Sequence, residues 1–445
     1  MSVDVTKSNR LRKLRDTEDE EALPGNVYAA RLREQFAATN GGAAPEWAKL
    51  SKKKKKKTAK KKTGSGEEGK QEGKGEDDEE GGSEYGSDDD DEASALLRGS
   101  SKLLGSGGKG GRLPGETLAV ERLKDANRGG PSKCVIQAAK FHPNGQLLMT
   151  AGFDKSLRLF QVDGSTNEMV QSTFLTELPI HTAAFTLGGA RIVASGRRKF
   201  FYSYDVAAGK IMKVPGILGR AEKSLEKFVA HDNTMAFFGK AGEVILVSAT
   251  TCQWMHTLKM GGSIRSASFA SNGTELMTAG TDGEIYLWDL RMNRCVSRIA
   301  DEGASPSTAV AASPDNQYVA CGSESGVVNL YDGVGSIRAA ATAAVRGFGV
   351  PSVKPIKAVM NLTTPIDVAE FNSDGQILAI ASRRKKDSLK LVHTPSRTVF
   401  SNWPSGRTPL HYVSTVDFSP NSGLLAIGNS RGRVLLYRLN HYSRA

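Results

Sequence analysis

From Val135 onward, apolar and polar positions recur in a fixed order at intervals of about forty-five residues. Each copy has an apolar strand ending in Phe, a turn of Pro, Asn or Asp with Gly, a second apolar strand ending in Gly or Ser, a polar turn, and a strand of alternating positions. The fourth copy ends in the dipeptide Trp288-Asp289. Seven copies are anchored at or near Phe141, Phe185, Phe228, Phe269, Ala312, Phe371 and Phe418.

This period, with four short strands in each copy, is typical of a WD-repeat β-propeller. Residues 117–445 leave about 47 residues for each copy, close to the roughly 45 that one blade needs. The sequence therefore predicts an all-β fold, a seven-bladed WD-repeat β-propeller over 117–445. It is preceded by a charged tail over 1–116 that we expect to be mostly disordered.

Closure of the ring is also readable from the pattern. The last copy reaches VLLYRLNHYSRA after its third strand, so too few residues follow for an outer strand. Thr117 to Lys124 alternates apolar and polar residues ahead of the first inner strand. We therefore predict that this segment supplies the outer strand of the seventh blade and covers an edge that would otherwise be unpaired.

The tail carries its charge in blocks. Ten lysines lie between Lys49 and Lys62, and 14 acidic residues lie between Glu67 and Glu92. Blocks of like charge within 49–92 repel and bury little, which predicts disorder. The lysine run is interpreted as a nuclear or nucleolar address or a nucleic-acid tether, with simple solubilising charge as the alternative.

Before the lysines, the sequence predicts a short helix near residues 26–37. Tyr28, Leu32 and Phe36 are spaced to share one helix face. A helix this short is marginal alone, so we expect its apolar face to dock into a partner groove. The alternative is that it folds back on its own domain. Trp47 is a further candidate for partner docking.

No pattern typical of catalysis, metal binding or a cofactor stands out. The seven histidines are scattered over different copies, and no C-x-x-C pair, nucleophile elbow, zinc-protease motif or EF-hand loop occurs. Asp154 and Asp282 are interpreted as turn residues that bond to backbone amides. No apolar run approaches the ~18 residues of a membrane helix, and the first residues are charged. The sequence thus predicts a non-catalytic protein that is neither secreted nor membrane-spanning.

The surplus of positive charge lies in the predicted propeller. The chain has 60 Lys plus Arg against 48 Asp plus Glu, and the two signs balance within 1–116. Turns between second and third strands should share one face with the crossovers between blades. In neighbouring blades six, seven, one and two these turns form a basic arc, which consists of Lys155, Arg197, Arg198, Lys199, Arg383, Arg384, Lys385, Lys386, Arg431 and Arg433.

Across the ring from this arc, blades four and five offer Asp282, Glu284 and Glu324 instead. Cations collected on one side of one face are typical of a contact with a phosphate backbone. An acidic protein partner stays open as a second interpretation of the arc. Scattered surface charge is the structural alternative.

Several segments resemble a known family. Residues 10–36, Pro45-Glu46-Trp47-Ala48, residues 122–164 and the seven weak repeats together are similar to the family of the eighteenth U-three small nucleolar RNA-associated protein. The resemblance covers nearly the whole chain apart from the charged linker.

The resemblance implies a non-catalytic scaffold subunit of the nucleolar small-subunit processome, acting in processing of pre-18S ribosomal RNA. It implies partners in the U-three protein B subcomplex, namely tandem-propeller and helical-repeat proteins, and the 5′ external transcribed spacer. It places the chain in the nucleus and nucleolus. A generic WD-repeat adaptor of the chromatin or ubiquitin-ligase type is the alternative.

Some members of the family recruit an RNA helicase through a Leu-Phe-any-aliphatic-Asp motif. In this chain the matching string begins at Leu159 and falls in the predicted third strand of blade one, where alternate side chains are buried. The sequence therefore does not predict helicase recruitment.

Overall fold

The computed structural model describes residues 2–4, 22–39, 113–220, 222–303, 306–344, 350–406 and 408–442. The chain divides into two compact units, Met1–Gly86 and Ser87–Ala445. The lysine and acidic blocks predicted within 49–92, and Trp47, lie outside the described residues.

The first unit holds a two-stranded antiparallel sheet and a helix. Strand β1 (Ser2–Asp4) pairs with β2 (Ala22–Pro24), and helix α1 (Gly25–Thr39) follows directly. The helix predicted near 26–37 is therefore confirmed, with ends one and two residues further out. Its docking role stays a prediction.

The second unit is a ring of seven four-stranded antiparallel sheets, so the predicted seven-bladed propeller is confirmed. The outer strand of blade 7 comes first in the chain, as β3 (Val120–Arg122). Blades 1 to 3 then consist of β4 (Ile136–Phe141), β5 (Leu147–Gly152), β6 (Ser156–Gln161) and β7 (Met169–Phe174); β8 (Thr182–Thr186), β9 (Arg191–Ser195), β10 (Phe201–Asp205) and β11 (Ile211–Val214); and β12 (Phe228–His231), β13 (Thr234–Phe238), β14 (Glu243–Ser248) and β15 (Trp254–Lys259).

Blades 4 to 7 continue the same order from inner to outer strand. They consist of β16 (Ile264–Phe269), β17 (Glu275–Gly280), β18 (Glu284–Asp289) and β19 (Arg294–Ala300); β20 (Ser307–Ala312), β21 (Tyr318–Ser323), β22 (Val328–Asp332) and β23 (Lys357–Val359); β24 (Val368–Phe371), β25 (Ile377–Ala381), β26 (Leu389–His393) and β27 (Thr398–Val399); and β28 (Val413–Phe418), β29 (Leu424–Asn429) and β30 (Val434–Leu439), with β3 as the fourth strand. Two short 3-10 turns, Leu187–Gly189 and Lys240–Gly242, lie in blades 2 and 3.

The predicted anchors mark the ends of inner strands. Phe141, Phe269 and Ala312 are the last residues of β4, β16 and β20, as predicted. Blade 3 differs, because Phe228 begins its inner strand rather than ending it. Second strands are the most buried, since each lies between two others and packs against both neighbouring blades. In β17 all six residues are buried, whereas most of the outer strand β7 is exposed.

The core of the ring lies between blades rather than within them. Among the described residues, seven hydrophobic clusters occur, and each joins two adjacent blades. Hydrogen bonds from an inner strand to the segment just before the next inner strand supplement this packing: the Thr308 hydroxyl donates to the Ile366 carbonyl at 2.6 Å, and that of Thr182 to the Glu226 carbonyl at 3.1 Å. The inner strands are therefore held edge to edge around a central channel.

The predicted closure is confirmed in a shorter form. Strand β3 pairs antiparallel with β30, with Val120 opposite Leu439. The closing segment, residues 113–127, adds contacts that the pattern did not predict. Leu113 and Leu118 are buried between blades 6 and 7, and the Asn127 side-chain amide donates to the Gly432 carbonyl at 2.7 Å. This segment therefore fastens two junctions of the ring.

A second helix, α2 (Gly333–Ala344), interrupts blade 5 between β22 and β23 and was not predicted. Val334 and Ile337 of α2 are buried between blades 4 and 5, and the Ser297 hydroxyl donates to the Ile337 carbonyl at 2.6 Å. The helix therefore packs onto the ring. No helix in the described residues is long and apolar enough to cross a membrane.

Candidate nucleic-acid interface

The turns between second and third strands lie on one face of the ring with the crossovers between blades, as predicted. Each turn is hydrogen-bonded to a crossover. The Leu225 amide donates to the Arg198 carbonyl at 2.9 Å, the Leu175 amide to the Lys155 carbonyl at 2.7 Å, and the Ser132 amide to the Gly432 carbonyl at 3.3 Å. We call this face the turn face. The bonds fix the turns, so cations on them project from a rigid frame.

The most concentrated part of the basic arc lies where blades 6 and 7 meet. The His411 amide donates to Asp387 Oδ1 at 2.7 Å, and the Ser430 amide donates to the Tyr412 carbonyl at 3.0 Å, so one crossover joins both turns. Partial burial and the positive charges of Arg431, Lys386 and Arg433 lower the pKa of His411. Positive charge therefore outweighs the Asp387 carboxylate at this junction.

Most side chains of the arc are free to meet a ligand. Arg198, Lys199, Lys385, Arg431 and Arg433 are exposed and make no side-chain ion pair with a described residue. Arg384 lies 3.8 Å from Glu324, and Lys386 lies 4.0 Å from Asp387. Exposed pairs at such distances contribute little. Lys155 is the exception, because its amine donates to the Thr176 carbonyl at 2.9 Å.

Two predicted arc residues turn toward the central channel instead. Arg383 reaches across the channel from blade 6 to Gln137 of blade 1, with 3.1 Å between its guanidinium nitrogen and Oε1. Arg197 donates two hydrogen bonds to the Glu226 carboxylate, at 3.0 and 3.2 Å. These two guanidinium groups are therefore separate from the outer arc.

The prediction that the acidic residues lie across the ring from the arc is wrong for Glu324, because blade 5 adjoins blade 6 and Glu324 lies 3.8 Å from Arg384. The acidic side chains of blade 4 are engaged. Glu284 pairs with Arg298, and Asp282 accepts a hydrogen bond from the Tyr286 hydroxyl at 2.9 Å. Asp282 and Asp154 also accept from the backbone amide two residues later, at 3.4 and 3.3 Å. The structural interpretation of both aspartates is thus confirmed.

Sequence reasoning missed the charged residues that line the channel. Near its lower end, away from the turn face, the Lys140 amine lies 2.6 Å from Glu370 and 2.8 Å from Asp417. Near the turn face, Lys227 and Arg265 line a cavity of about 260 Å³ together with Arg383 and Asp367. The available signal was a charged residue on an inner strand, where apolar or small residues otherwise occur.

The partner-docking candidates of the tail are described only in part. On α1, Tyr28 is half-buried and the Leu32 side chain is 42% exposed. The Phe36 side chain lies outside the described residues. In the part of the chain that the structure describes, no group of three or more His, Cys, Asp or Glu residues could hold a metal ion.

Comparison with known proteins identifies WD repeats in this chain and several related proteins. The family model "WD domain, G-beta repeat" matches residues 127–161, 252–289 and 294–332. A protein of Arabidopsis thaliana named "U3 small nucleolar RNA-associated protein 18 homolog" is 42% identical over 450 residues, which is 100% of this chain and 75% of the relative. A Schizosaccharomyces pombe protein, "Probable U3 small nucleolar RNA-associated protein 18", is 34% identical over 99% of this chain and 79% of its own length. The Saccharomyces cerevisiae protein of that name is 35% identical over 74% of this chain and 62% of its own length.

Proposed function

The chain belongs to the family of U3 small nucleolar RNA-associated protein 18, and from this premise we propose that it is a non-catalytic scaffold in ribosome biogenesis. The observation that carries the proposal is the likeness over the whole chain to relatives named for association with this RNA. A rigid ring whose turn face carries exposed cations suits a protein that holds RNA and partners in place.

The finer assignment is the small-subunit processome of the nucleolus, with a role in processing pre-18S ribosomal RNA. Partners would be the tandem-propeller and helical-repeat proteins of the U-three protein B subcomplex, and the 5′ external transcribed spacer. Helix α1 would dock one of the protein partners, because Leu32 and Val27 expose apolar surface. A generic chromatin or ubiquitin-ligase adaptor is not favoured, since the matched relatives are named for RNA association.

We assign RNA to the outer part of the basic arc. Its cations stand on turns held by backbone hydrogen bonds, and Lys386, Arg431 and Arg433 act together at the junction of blades 6 and 7. Phe200, the aromatic residue beside Arg198 and Lys199, is half-buried against Tyr202 with 5.7 Å between ring centroids, so it offers no free stacking face. Tyr412, on the crossover between blades 6 and 7, is 46% exposed and is one aromatic side chain that could stack on a base. Because cations outnumber exposed aromatic residues on these turns, we expect contact mainly with phosphates.

The test is the salt dependence of RNA binding by the full chain. Replacing Arg384, Lys385 and Lys386 by Ser should flatten the slope of log affinity against log salt by up to about 2 units, since each phosphate contact on a single strand adds about 0.7. Binding to an oligouridylate and to a mixed-sequence RNA would be measured by fluorescence anisotropy. The loss should be similar for both RNAs.

A matched control removes the same charge from the opposite face. Lys210, Arg291 and Arg294 are exposed residues at turns between third and fourth strands, and their replacement by Ser should leave the slope unchanged. A folded arc variant with the wild-type slope would assign the arc to an acidic protein. Equal flattening in both variants would mean that total charge, not the arc, binds RNA.

A further inference from the structure

The mouth of the central channel on the turn face carries a surplus of positive charge. It has four cations, Arg197, Lys227, Arg265 and Arg383, which come from blades 2, 3, 4 and 6 or the crossovers between them. Two carboxylates face them, Glu226 and Asp367. His181 does not add to the charge near neutral pH, because burial lowers its pKa and Arg197, Arg383 and Lys227 oppose the effect of Glu226.

Both carboxylates at the mouth already accept hydrogen bonds, and two of the four cations have no side-chain hydrogen bond or ion pair among the described residues. Glu226 is occupied by Arg197, and it lies 3.3 Å from His181. Asp367 accepts the Arg383 backbone amide at 2.8 Å. Lys227 and Arg265 make no side-chain hydrogen bond or ion pair with any residue that the structure describes. Burial and the positive charges of Arg383 and Arg265 lower the pKa of Lys227, and the nearby carboxylates of Glu226 and Asp367 offset this effect only in part.

The cavity below these cations has several small side chains in its walls and reaches down to Lys140, with Phe228 and Phe238 also in the lining. Its volume is about 260 Å³, and its walls include Ala138, Ala183, Ala267, Ser266 and Thr308. Further down, Lys140 lies between two carboxylates, so negative charge is in excess at that end. A nucleic-acid strand carries one charge on every nucleotide, so a strand entering the channel would bring phosphates toward this negative end. A protein side chain with one terminal carboxylate would instead contact the cations at the mouth without bringing further negative charge toward the lower end.

We propose that the channel mouth is a docking site for an acidic segment of a partner protein, with an Asp or Glu side chain inserted on the propeller axis between Arg383, Lys227 and Arg265. The inserted carboxylate would occupy the surplus donors, and the flanking residues of the segment would lie on the turn face. This site is distinct from the outer part of the basic arc, because Lys227, Arg265 and Arg383 line the channel cavity and the cations of the outer arc do not. The ring would thus hold a protein at its centre and RNA at its rim.

The test uses the full chain and a fluorescein-labelled hexaglutamate peptide, with hexaglutamine as the uncharged control. We expect the hexaglutamate peptide to bind and hexaglutamine not to. Changing Lys227→Ser and Arg265→Ser together should weaken hexaglutamate binding by at least about tenfold, because each of the two cations would contact the inserted carboxylate and one such contact is worth roughly a factor of five even in water. The same variant should bind oligouridylate as the wild type does.

Two matched variants separate this site from the arc and from misfolding. Arg384→Ser with Lys385→Ser removes the same charge from the arc, and it should keep hexaglutamate binding while weakening oligouridylate binding. Asp367→Asn removes a competing carboxylate but keeps an oxygen for the Arg383 amide, and it should strengthen hexaglutamate binding by about threefold or more. A gain in affinity cannot come from unfolding.

Two outcomes would overturn the proposal. One is unchanged hexaglutamate affinity in the Lys227 and Arg265 double variant. The other is a loss of oligouridylate binding in that variant that matches its loss of hexaglutamate binding, because the mouth would then be part of the RNA surface. Neither result alters the test of the arc, so failure of the axial site and failure of the proposed function are distinguishable.

Discussion

The two ends of the central channel differ in how far their charged side chains are paired within the protein. At the lower end, one amine, that of Lys140, lies between the carboxylates of Glu370 and Asp417 and joins blades 1, 6 and 7. At the mouth, four cations face two carboxylates, and Lys227 and Arg265 have no described partner. At the lower end the charged side chains thus pair with one another, whereas the mouth has more cations than carboxylates and can bind an anionic ligand.

This difference shows how to separate structural from binding charges in a ring of repeats. A charge that bridges blades is satisfied by short contacts, and removing it should destabilise the fold. A cation whose neighbouring carboxylates are already engaged by other groups contributes little to the stability of the fold, and removing it should mainly affect binding. Arg383 stands between these cases, because it bridges blades 6 and 1 through Gln137 and also lies over the cavity.

The largest effect should come from opening the ring, which would remove both ends of the channel together. A chain that starts at Pro131 lacks strand β3 and buried Leu118, whereas a chain that starts at Gly115 keeps both. Burial of Leu118 alone contributes about 2 kcal/mol, and the exposed edge of β30 would favour aggregation. Gel filtration and thermal melting of the two chains provide the measurement. Equal melting temperatures for two soluble chains would contradict the closure that the pairing of Val120 with Leu439 implies.

The lower end alone is broken by Lys140→Met, which leaves Glu370 and Asp417 without their cation. The Lys140 side chain is 33% exposed, so channel water screens the charges. We therefore expect a loss of about 2 to 3 kcal/mol in the free energy of unfolding, less than a fully dry pair would lose. Urea unfolding is the measurement, with exposed Lys385→Met as the control. Adding Asp417→Asn should restore part of the lost free energy of unfolding. An unchanged free energy of unfolding in the single variant would mean that the Lys140 ion pairs do not stabilise the ring.

The smallest effect is a dependence on pH that belongs to the lower end. Burial and the Glu370 charge outweigh attraction by Lys140 and raise the pKa of Asp417 from 3.8 to about 6. The folded chain therefore holds this proton to higher pH than the unfolded chain does. The resulting stabilisation is full below about pH 3.8 and is lost as the pH rises through about 6.

Between pH 7 and pH 5, the wild type should therefore gain about 1 kcal/mol that Asp417→Asn does not gain. Urea unfolding of both proteins at the two pH values measures the difference. Parallel changes in the two proteins would show that the Asp417 carboxyl is not the group concerned.

The fold could be predicted from the sequence because each blade repeats a local pattern. The Phe anchors, the Gly turns and the alternation in strands such as β6 follow from short-range rules, and the closing strand follows from a count of strands. Helix α2 could not be found this way, since it is an insertion that the repeat does not contain. The Ala-rich segment 333–344 has good helix formers, so helix propensity was the signal that the repeat pattern obscured.

The candidate site was predictable only where position in a turn decides exposure. The turn of Arg384 and Lys385 is exposed on the turn face, as its place in the repeat suggested. The direction of Arg383 was not predictable, because it depends on Gln137, which is 246 residues away in the sequence. Lys227 and Arg265 come together where blades 3 and 4 meet at the channel, and a linear pattern does not report which residues near the inner strands meet there.

The pairing of β3 with β30 has a consequence for the order of events during synthesis. Val120 leaves the ribosome early, but its partner Leu439 follows about 320 residues later. At roughly 5 to 20 residues per second, the first strand waits on the order of tens of seconds before its partner exists. If the six earlier blades form during that interval, the apolar face of blade 1 that packs on blade 7 stays uncovered, as does that of blade 6. The nascent chain therefore needs protection at both faces until its last strand has been made.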